Sequence, residues 1–245
     1  MTMAFVSDLH LLPGSDFEKR FGQFLSELPS MKVTDFWMLG DVADFLVGPY
    51  SFWEQRYQHL FLGLNTVLDR GIAVHWALGN HDFEIQKIPA LARVDFFDGE
   101  RTLNLKVQGR DQKLYLAHGD LVDAQNHAYQ RWRQVTRSAA LSAALKWLPD
   151  QIAKSLVPNI GLGLSRKSRG RQRDDAATVK ARYRTFAQNK FSEGYFGVFL
   201  GHCHVEDLFK EGERFYLNLG SGLDNALRYA TWNPEIEGFP RVSLY

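Results

Sequence analysis

Five short segments each close an apolar run with residues that bind metal ions. They are Asp8-Leu9-His10, Gly40-Asp41-Val42-Ala43-Asp44, Gly79-Asn80-His81-Asp82, His118-Gly119-Asp120 and Gly201-His202-Cys203-His204. Three of their Asp/Asn oxygens and four of their imidazoles would be enough for two adjacent metal ions sharing one bridging carboxylate. Mixed imidazole and carboxylate donors without thiolate suit Mn, Fe or Zn better than Ca. Two-metal sites, with ions about 3.5–4 Å apart, hydrolyse phosphate esters by clamping the attacking and leaving oxygens and by turning a water into a nucleophile.

Each segment follows a strand-like stretch, at 3–7, 36–39, 72–78, 113–117 and 196–200. Open α/β sheets build their sites outside such strand ends. Between them lie helical patterns. The 16–28 stretch has Phe17, Phe21, Phe24, Leu25 and Leu28 on one face, and 52–70 has Trp53, Tyr57, Leu60, Leu64 and Leu68, with Gly71 as a stop. A hairpin is expected from 103–107 to 113–117 through Gly109-Arg110-Asp111, and further strands at 214–219 and 241–244. Strand followed by helix, repeated, predicts a layered α/β sandwich.

The rhythm breaks between 125 and 190. A helix is expected over 129–146, then an apolar 156–164 punctuated by Pro149 and Pro158, a basic run from 165 to 173, and a final helix over 174–189. We read this as a helical cap inserted into a catalytic core formed by 1–124 and 191–245. The net charge of +1 hides a split, because 125–190 holds 14 Lys/Arg against 3 Asp/Glu. Such a face suits an anionic partner. No secretory signal or membrane span is expected. The single cysteine, Cys203, forbids an intrachain disulfide and fits a reducing, cytoplasmic compartment. Strand alternation should turn its thiol away from the metals.

The five blocks, in this order, resemble the signature of the calcineurin-like metallophosphoesterase superfamily. That resemblance implies a sandwich of two mixed β-sheets flanked by helices. It implies that Asp8, His10, Asp41 and His204 bind one metal, that Asp41, Asn80, His118 and His202 bind the other, and that Asp41 bridges them. Mn is the first expectation, with Fe, Zn or Mg as alternatives. In the superfamily the position of His81 contacts phosphate and protonates the leaving oxygen. Asp82 is expected to orient its ring, and Asp44 and Asp120 to support the ligands.

The length, the cap and the basic stretch Arg166-Lys167-Ser168-Arg169 resemble the UDP-2,3-diacylglucosamine pyrophosphohydrolase branch of lipid A synthesis, enzymes peripheral to the inner membrane. The branch implies a lipid- or nucleotide-linked pyrophosphate as substrate, an anionic membrane surface as partner, and substrate contacts from Asn126, Arg166, Lys167, Ser168 and Arg169. Apolar cap residues such as Trp132, Leu145, Trp147, Ile152 and Leu156 either form a slot for acyl chains or pack the cap onto the core. The chain departs from the branch at His81, where the branch has Arg, at Cys203, where it has Thr, and at Asn126, where it has an acidic residue. A phosphatase or phosphodiesterase of another phospholipid, nucleotide or soluble phosphoester therefore stays open. Only Tyr183 and Phe186 stand near the basic run, which argues against nucleic acid. The full set of ligands argues against a scaffold without catalysis.

Overall fold

The computed structural model describes residues 1–169 and 174–245, apart from the side chains of 128 and 161–169. In chain order the first elements are β1 (Met3–Val6), α1 (Asp16–Glu27), β2 (Asp35–Met38), β3 (Leu46–Val47), α2 (Phe52–Arg56) and α3 (Gln58–Asp69). Next come β4 (Ala73–Ala77), β5 (Asp82–Phe83), β6 (Asp95–Phe97), β7 (Glu100–Val107) and β8 (Arg110–Ala117). The helices α4 (His127–Thr136), α5 (Ala139–Trp147), α6 (Asp150–Arg169) and α7 (Ala176–Ser192) follow. The chain closes with β9 (Gly197–Leu200), β10 (Asp207–Glu211), β11 (Arg214–Asn218), β12 (Arg228–Trp232) and β13 (Arg241–Leu244).

Two larger sheets face each other. One has the order β13-β12-β1-β2-β4-β6 and the other β10-β11-β9-β8-β7; β3 and β5 form a small pair. Both are mixed. β1, β2, β4 and β6 run parallel, as do β8, β9 and β11, with antiparallel strands at the margins. Successive side chains of a strand point to opposite faces, and here both faces are covered. Met3, Phe5, Trp37, Leu39, Leu114, Leu116 and Phe199 fill the layer between the sheets. Ala4, Val6, Phe36, Met38, Val74 and Trp76 face the other way, against α1 and α3. Tyr115, Ala117, Val198 and Leu200 meet Tyr183, Ala187 and Phe191 of α7. Continuous apolar strands are what such double coverage requires, and each buried large side chain contributes about 1.5–3 kcal/mol.

The long helical patterns are divided. The 52–70 stretch breaks at Tyr57, whose ring is buried while its hydroxyl donates to the Phe45 carbonyl at 3.1 Å. The 129–146 stretch breaks before Ser138, which caps α5 by accepting from Leu141 N at 3.2 Å. The hairpin turns one step earlier than expected, at Gln108-Gly109, both with positive φ (48° and 82°). That pairing fits the twist of a two-residue hairpin. Pro158 lies inside α6 rather than ending it. α7 packs on the second sheet through Tyr183, Ala187 and Phe191, whereas α5 and α6 turn toward the core of the first.

On α5 and α6, Leu145, Ala153 and Val157 are buried in the core cluster of the first sheet, with Leu141 and Leu148 packed against it. Trp147 (86% exposed), Ile152 and Leu156 point outward, and Trp132 is partly exposed. Among the described residues no helix is long and apolar enough to cross a membrane.

Candidate dinuclear metal site

The metal-loving residues all emerge beyond the C-terminal ends of their strands: Asp8 and His10 after β1, Asp41 after β2, Asn80 and His81 after β4, His118 after β8, and His202 and His204 after β9. Five of these carry positive φ, namely Asp8 (49°), His10 (48°), Asp41 (51°), His202 (69°) and His204 (60°). Non-glycine residues rarely adopt that region, and such strain persists where the surroundings over-determine it. Here backbone bonds lace the segments together. Asp8 N donates to Gly40 O at 3.0 Å, His10 N to Asp41 O at 3.0 Å, and Gly201 N to His118 O at 2.8 Å. The motif glycines permit this closeness. A Cβ on Gly79 would overlap the Asp41 carboxylate, and one on Gly201 would overlap Ser7 Oγ and the Asp8 carboxylate.

Three donor groups converge among the described residues; two of them meet at Asp41, and the third, His10, Asp44 and His81, shares His10 with the first. Asp8, His10, Asp41 and His204 bring one ligand atom each to a common point, as do Asp41, His118 and His202, all within 4.8 Å of one another in each group. His10 Nε2 lies 2.9 Å from His204 Nε2, and His118 Nε2 lies 3.2 Å from His202 Nδ1. The Asn80 Oδ1 is 3.4 Å from His118 Nε2, completing the second group. Asp41 Oδ2 stands 3.5 Å from His118 Nε2 and 4.0 Å from His10 Nε2, so it faces both groups. His118 Nδ1 donates to the Leu39 carbonyl at 2.8 Å, so Nε2 is the nitrogen turned toward the other donors. These are N and O donors in convergent pairs, and they fit two divalent cations.

The electrostatics follow from burial and from the charges that face one another. Burial pushes His10 and His202 down to about 4, so both rings offer neutral nitrogens. Burial opposes charge on Asp8, yet the facing His204 and His118 hold its pKa low; against the same opposition, His118 and His81 hold Asp41 well below the ordinary range. Burial likewise opposes charge on the His118 ring, but the Asp41 carboxylate holds its pKa well above the usual value.

His81 is half-buried, with its ring edge-on to His10 at 4.9 Å. Its orientation differs from the expectation. The Asp44 carbonyl, 2.6 Å away, accepts from His81 Nδ1. Asp82 instead accepts from the backbone N–H groups of Gly79 (2.6 Å), Val42 (2.8 Å) and Asp41 (3.2 Å) and from Trp76 Nε1 (3.0 Å). Burial, then the charge of Asp41, push its pKa up to about 6. The reason is positional, since Asp82 opens β5 and is fully buried, beneath the loops rather than beside the ring. It splices the Gly40–Asp41 loop to the Gly79–Asn80 turn. Asp120 accepts from the Tyr129 hydroxyl (2.7 Å) and Arg133 Nε (2.9 Å), and the Tyr129 ring sits 5.2 Å from that of His202.

Among the expected substrate contacts, Asn126 is exposed and caps α4, its Oδ1 accepting from Tyr129 N at 3.0 Å. Arg166, Lys167, Ser168 and Arg169 end the backbone of α6, and their side chains lie outside the described residues, as do Arg171 and Arg173 altogether. Cys203 is half-buried against the α7 layer, belongs to none of the metal groups among the described residues, and has its thiol pushed up to about 12 by burial. Sequence reasoning missed Tyr129, Arg133 and Arg137 as neighbours of the site. Their recurrence every four residues along α4 was the available signal, because it places them on one helix face.

A sandwich of two mixed sheets with paired His/Asp donor groups at one strand edge defines a dinuclear metallohydrolase architecture. A family profile for calcineurin-like phosphoesterases matches residues 1–206, and the chain belongs to that family. It is similar to UDP-2,3-diacylglucosamine hydrolases. That of Vibrio vulnificus is 27% identical over 67% of this chain and 66% of its own length. That of Haemophilus influenzae is 25% identical over 90% of each. The chain thus spans just under two thirds of the Vibrio vulnificus protein. Among solved structures, an archaeal phosphodiesterase aligns over the whole of both chains at 14% identity with a TM-score of 0.47.

Proposed function

We propose that the protein is a dinuclear-metal phosphoester hydrolase whose substrate is a lipid- or nucleotide-linked pyrophosphate of the UDP-2,3-diacylglucosamine type. The observation that carries the hydrolase reading is the convergence of the two donor groups on Asp41. Asp8, His10, Asp41 and His204 would hold one divalent cation and Asp41, Asn80, His118 and His202 the other, with Mn the first choice. When bound, such cations supply positive charge to the phosphoryl oxygens and an activated water. The chain's own residues do the rest. His81, with Nδ1 fixed on the Asp44 carbonyl, presents Nε2; in the protonated ring that nitrogen hands its proton to the leaving phosphate oxygen. Asp82 holds the two loops so that Asp41 and His81 keep their spacing, and His81 N donates to Asp41 Oδ1 at 2.9 Å.

The lipid-linked substrate is supported by the cap. Trp147, Ile152, Leu156 and Ile160 are exposed on α5 and α6, which also carry Lys146 and Lys154. Apolar surface of this kind beside positive charge suits an acylated, anionic ligand at a membrane surface, each charge near that surface contributing about 1 kcal/mol. We place the enzyme at the inner face of the cytoplasmic membrane on that basis. Neutralising Arg166, Lys167 and Arg169 together is expected to weaken cosedimentation with anionic vesicles, the difference shrinking as salt rises. Unchanged, salt-independent binding would remove these residues from the interaction.

A second reading, a phosphodiesterase of a different phosphoester, draws on His81, an imidazole where a permanently charged guanidinium would grip phosphate more strongly. One assay separates them. Mn-loaded protein is given UDP-2,3-diacylglucosamine and UMP release is followed. Turnover supports the pyrophosphate reading; no release alongside hydrolysis of an aryl phosphodiester supports the second.

A further inference from the structure

One guanidinium joins the cap to the metal loops. Arg137 stands at the C-terminal cap of α4, and its Nη2 donates to the Gly79 carbonyl at 2.9 Å and to the Leu78 carbonyl at 3.3 Å. Its Nε lies 3.1 Å from Asp98 Oδ2, and the other oxygen of Asp98 accepts from Arg133 Nη2 at 2.8 Å. The face of the guanidinium lies 5.4 Å from the Phe83 ring centroid. Both Nε and Nη1 are buried; Nε is held by the Asp98 ion pair, and Nη1 has no hydrogen-bond partner among the described residues. Arg137 thus grips the turn from 78 to 83 at both ends, by carbonyls at its start and by an aromatic face at its close.

That turn carries Asn80 and His81. The Gly79 carbonyl and the Asn80 N–H share one rigid peptide plane, so a donor fixed on the carbonyl fixes the plane from which the Asn80 side chain departs. Asp82 holds the same turn through Gly79 N, and Asp41 holds it through His81 N. Arg137 is the third restraint, and it comes from the inserted helices rather than from the sandwich. Lysine could not replace it, because a single ammonium cannot reach two carbonyls and Asp98 with the planar spread of a guanidinium.

We infer that Arg137 is a positioning residue for the Asn80–His81 turn, and that through it the cap takes part in metal binding and turnover as well as covering the site. The inference rests on the dinuclear reading. Residues that orient metal ligands from behind typically govern about 10- to 100-fold in metal affinity or activity.

The experiment compares full-length wild type, Arg137→Gln, Arg137→Lys and Asp98→Asn. Mn²⁺ binding is titrated calorimetrically, and kcat and KM are measured on bis(p-nitrophenyl) phosphate. Both Arg137 variants are expected to bind the first Mn²⁺ equivalent as wild type does. The second equivalent should bind about 10- to 100-fold more weakly, and kcat should fall by a similar factor with KM little changed. Asp98→Asn keeps the carbonyl bonds but weakens the anchor, so it should move second-site affinity and kcat in the same direction by less. Wild-type second-site affinity and kcat in folded Arg137 variants would overturn the inference. So would restoration of both by Arg137→Lys, since charge alone would then suffice. If the Arg137 variants do not fold, wild-type values in Asp98→Asn overturn it. A wild type that binds fewer than two Mn²⁺ and leaves the diester intact would instead bring down the dinuclear reading itself.

Discussion

Replacing Asp41 by alanine is expected to abolish turnover and to leave the protein with less than two equivalents of metal. The carboxylate is 1% exposed and its Oδ2 faces His118 and His10 at 3.5 and 4.0 Å, so one substitution strips a ligand from both donor groups. It also removes the acceptor for His81 N, loosening the turn that carries the proton donor. Cations at such sites stabilise transition-state charge by several kcal/mol, and about 1.36 kcal/mol is tenfold in rate. A loss on the order of 10³-fold or more is the consequence. Asp41→Asn is the informative companion. It keeps the volume and an oxygen for His81 N but removes the negative charge that two cations share, and it should be as inactive as alanine while folding normally. Metal content by mass spectrometry and activity on an aryl phosphodiester are the two readouts. An active variant with its full metal complement would refute the site.

His81→Ala separates chemistry from metal binding. His81 lies outside the two donor groups that meet at Asp41, and although it stands with His10 and Asp44 in a third group, its Nδ1 is committed to the Asp44 carbonyl. The variant should therefore keep both metal equivalents. Its kcat should fall by about 10²- to 10⁴-fold, the usual contribution of a positioned acid or base. The effect should depend on the leaving group. p-Nitrophenolate departs with little help, whereas an alkoxide needs its proton in the transition state, so the deficit should widen along a series of diesters with rising leaving-group pKa. A deficit that stays constant across the series would assign His81 to phosphate binding instead. Full activity would remove it from the mechanism.

Much of this was readable without coordinates. The unbroken apolar runs Met3 to Val6 and Phe36 to Leu39 mark strands buried on both faces, and the polar residues that end them mark a strand edge where ligands gather. Helix α1 was readable from Phe17, Phe21, Phe24 and Leu25, all buried on one face. Helix continuity was not. The breaks at Tyr57 and before Ser138 depend on a carbonyl from Phe45 and a local cap, set against propensities that favour an unbroken helix. The strand β12 went unrecognised because Arg228–Trp232 has no strong alternation and owes its place to pairing with β1.

The sequence by itself determined which donors are present, their order, and the strand ends that carry them, because residue type fixes ligand chemistry and periodicity fixes local structure. Only the tertiary structure decided who serves whom. It put Asp82 under the loops rather than against His81, made the Asp44 carbonyl the partner of that ring, spent Asn126 on a helix cap, and brought Arg137 from α4 onto the Gly79 carbonyl. The physical reason is that a hydrogen bond has a reach of about 3 Å. Neighbours in the chain need not lie within it, while residues 58 apart can once helix and sheet have packed.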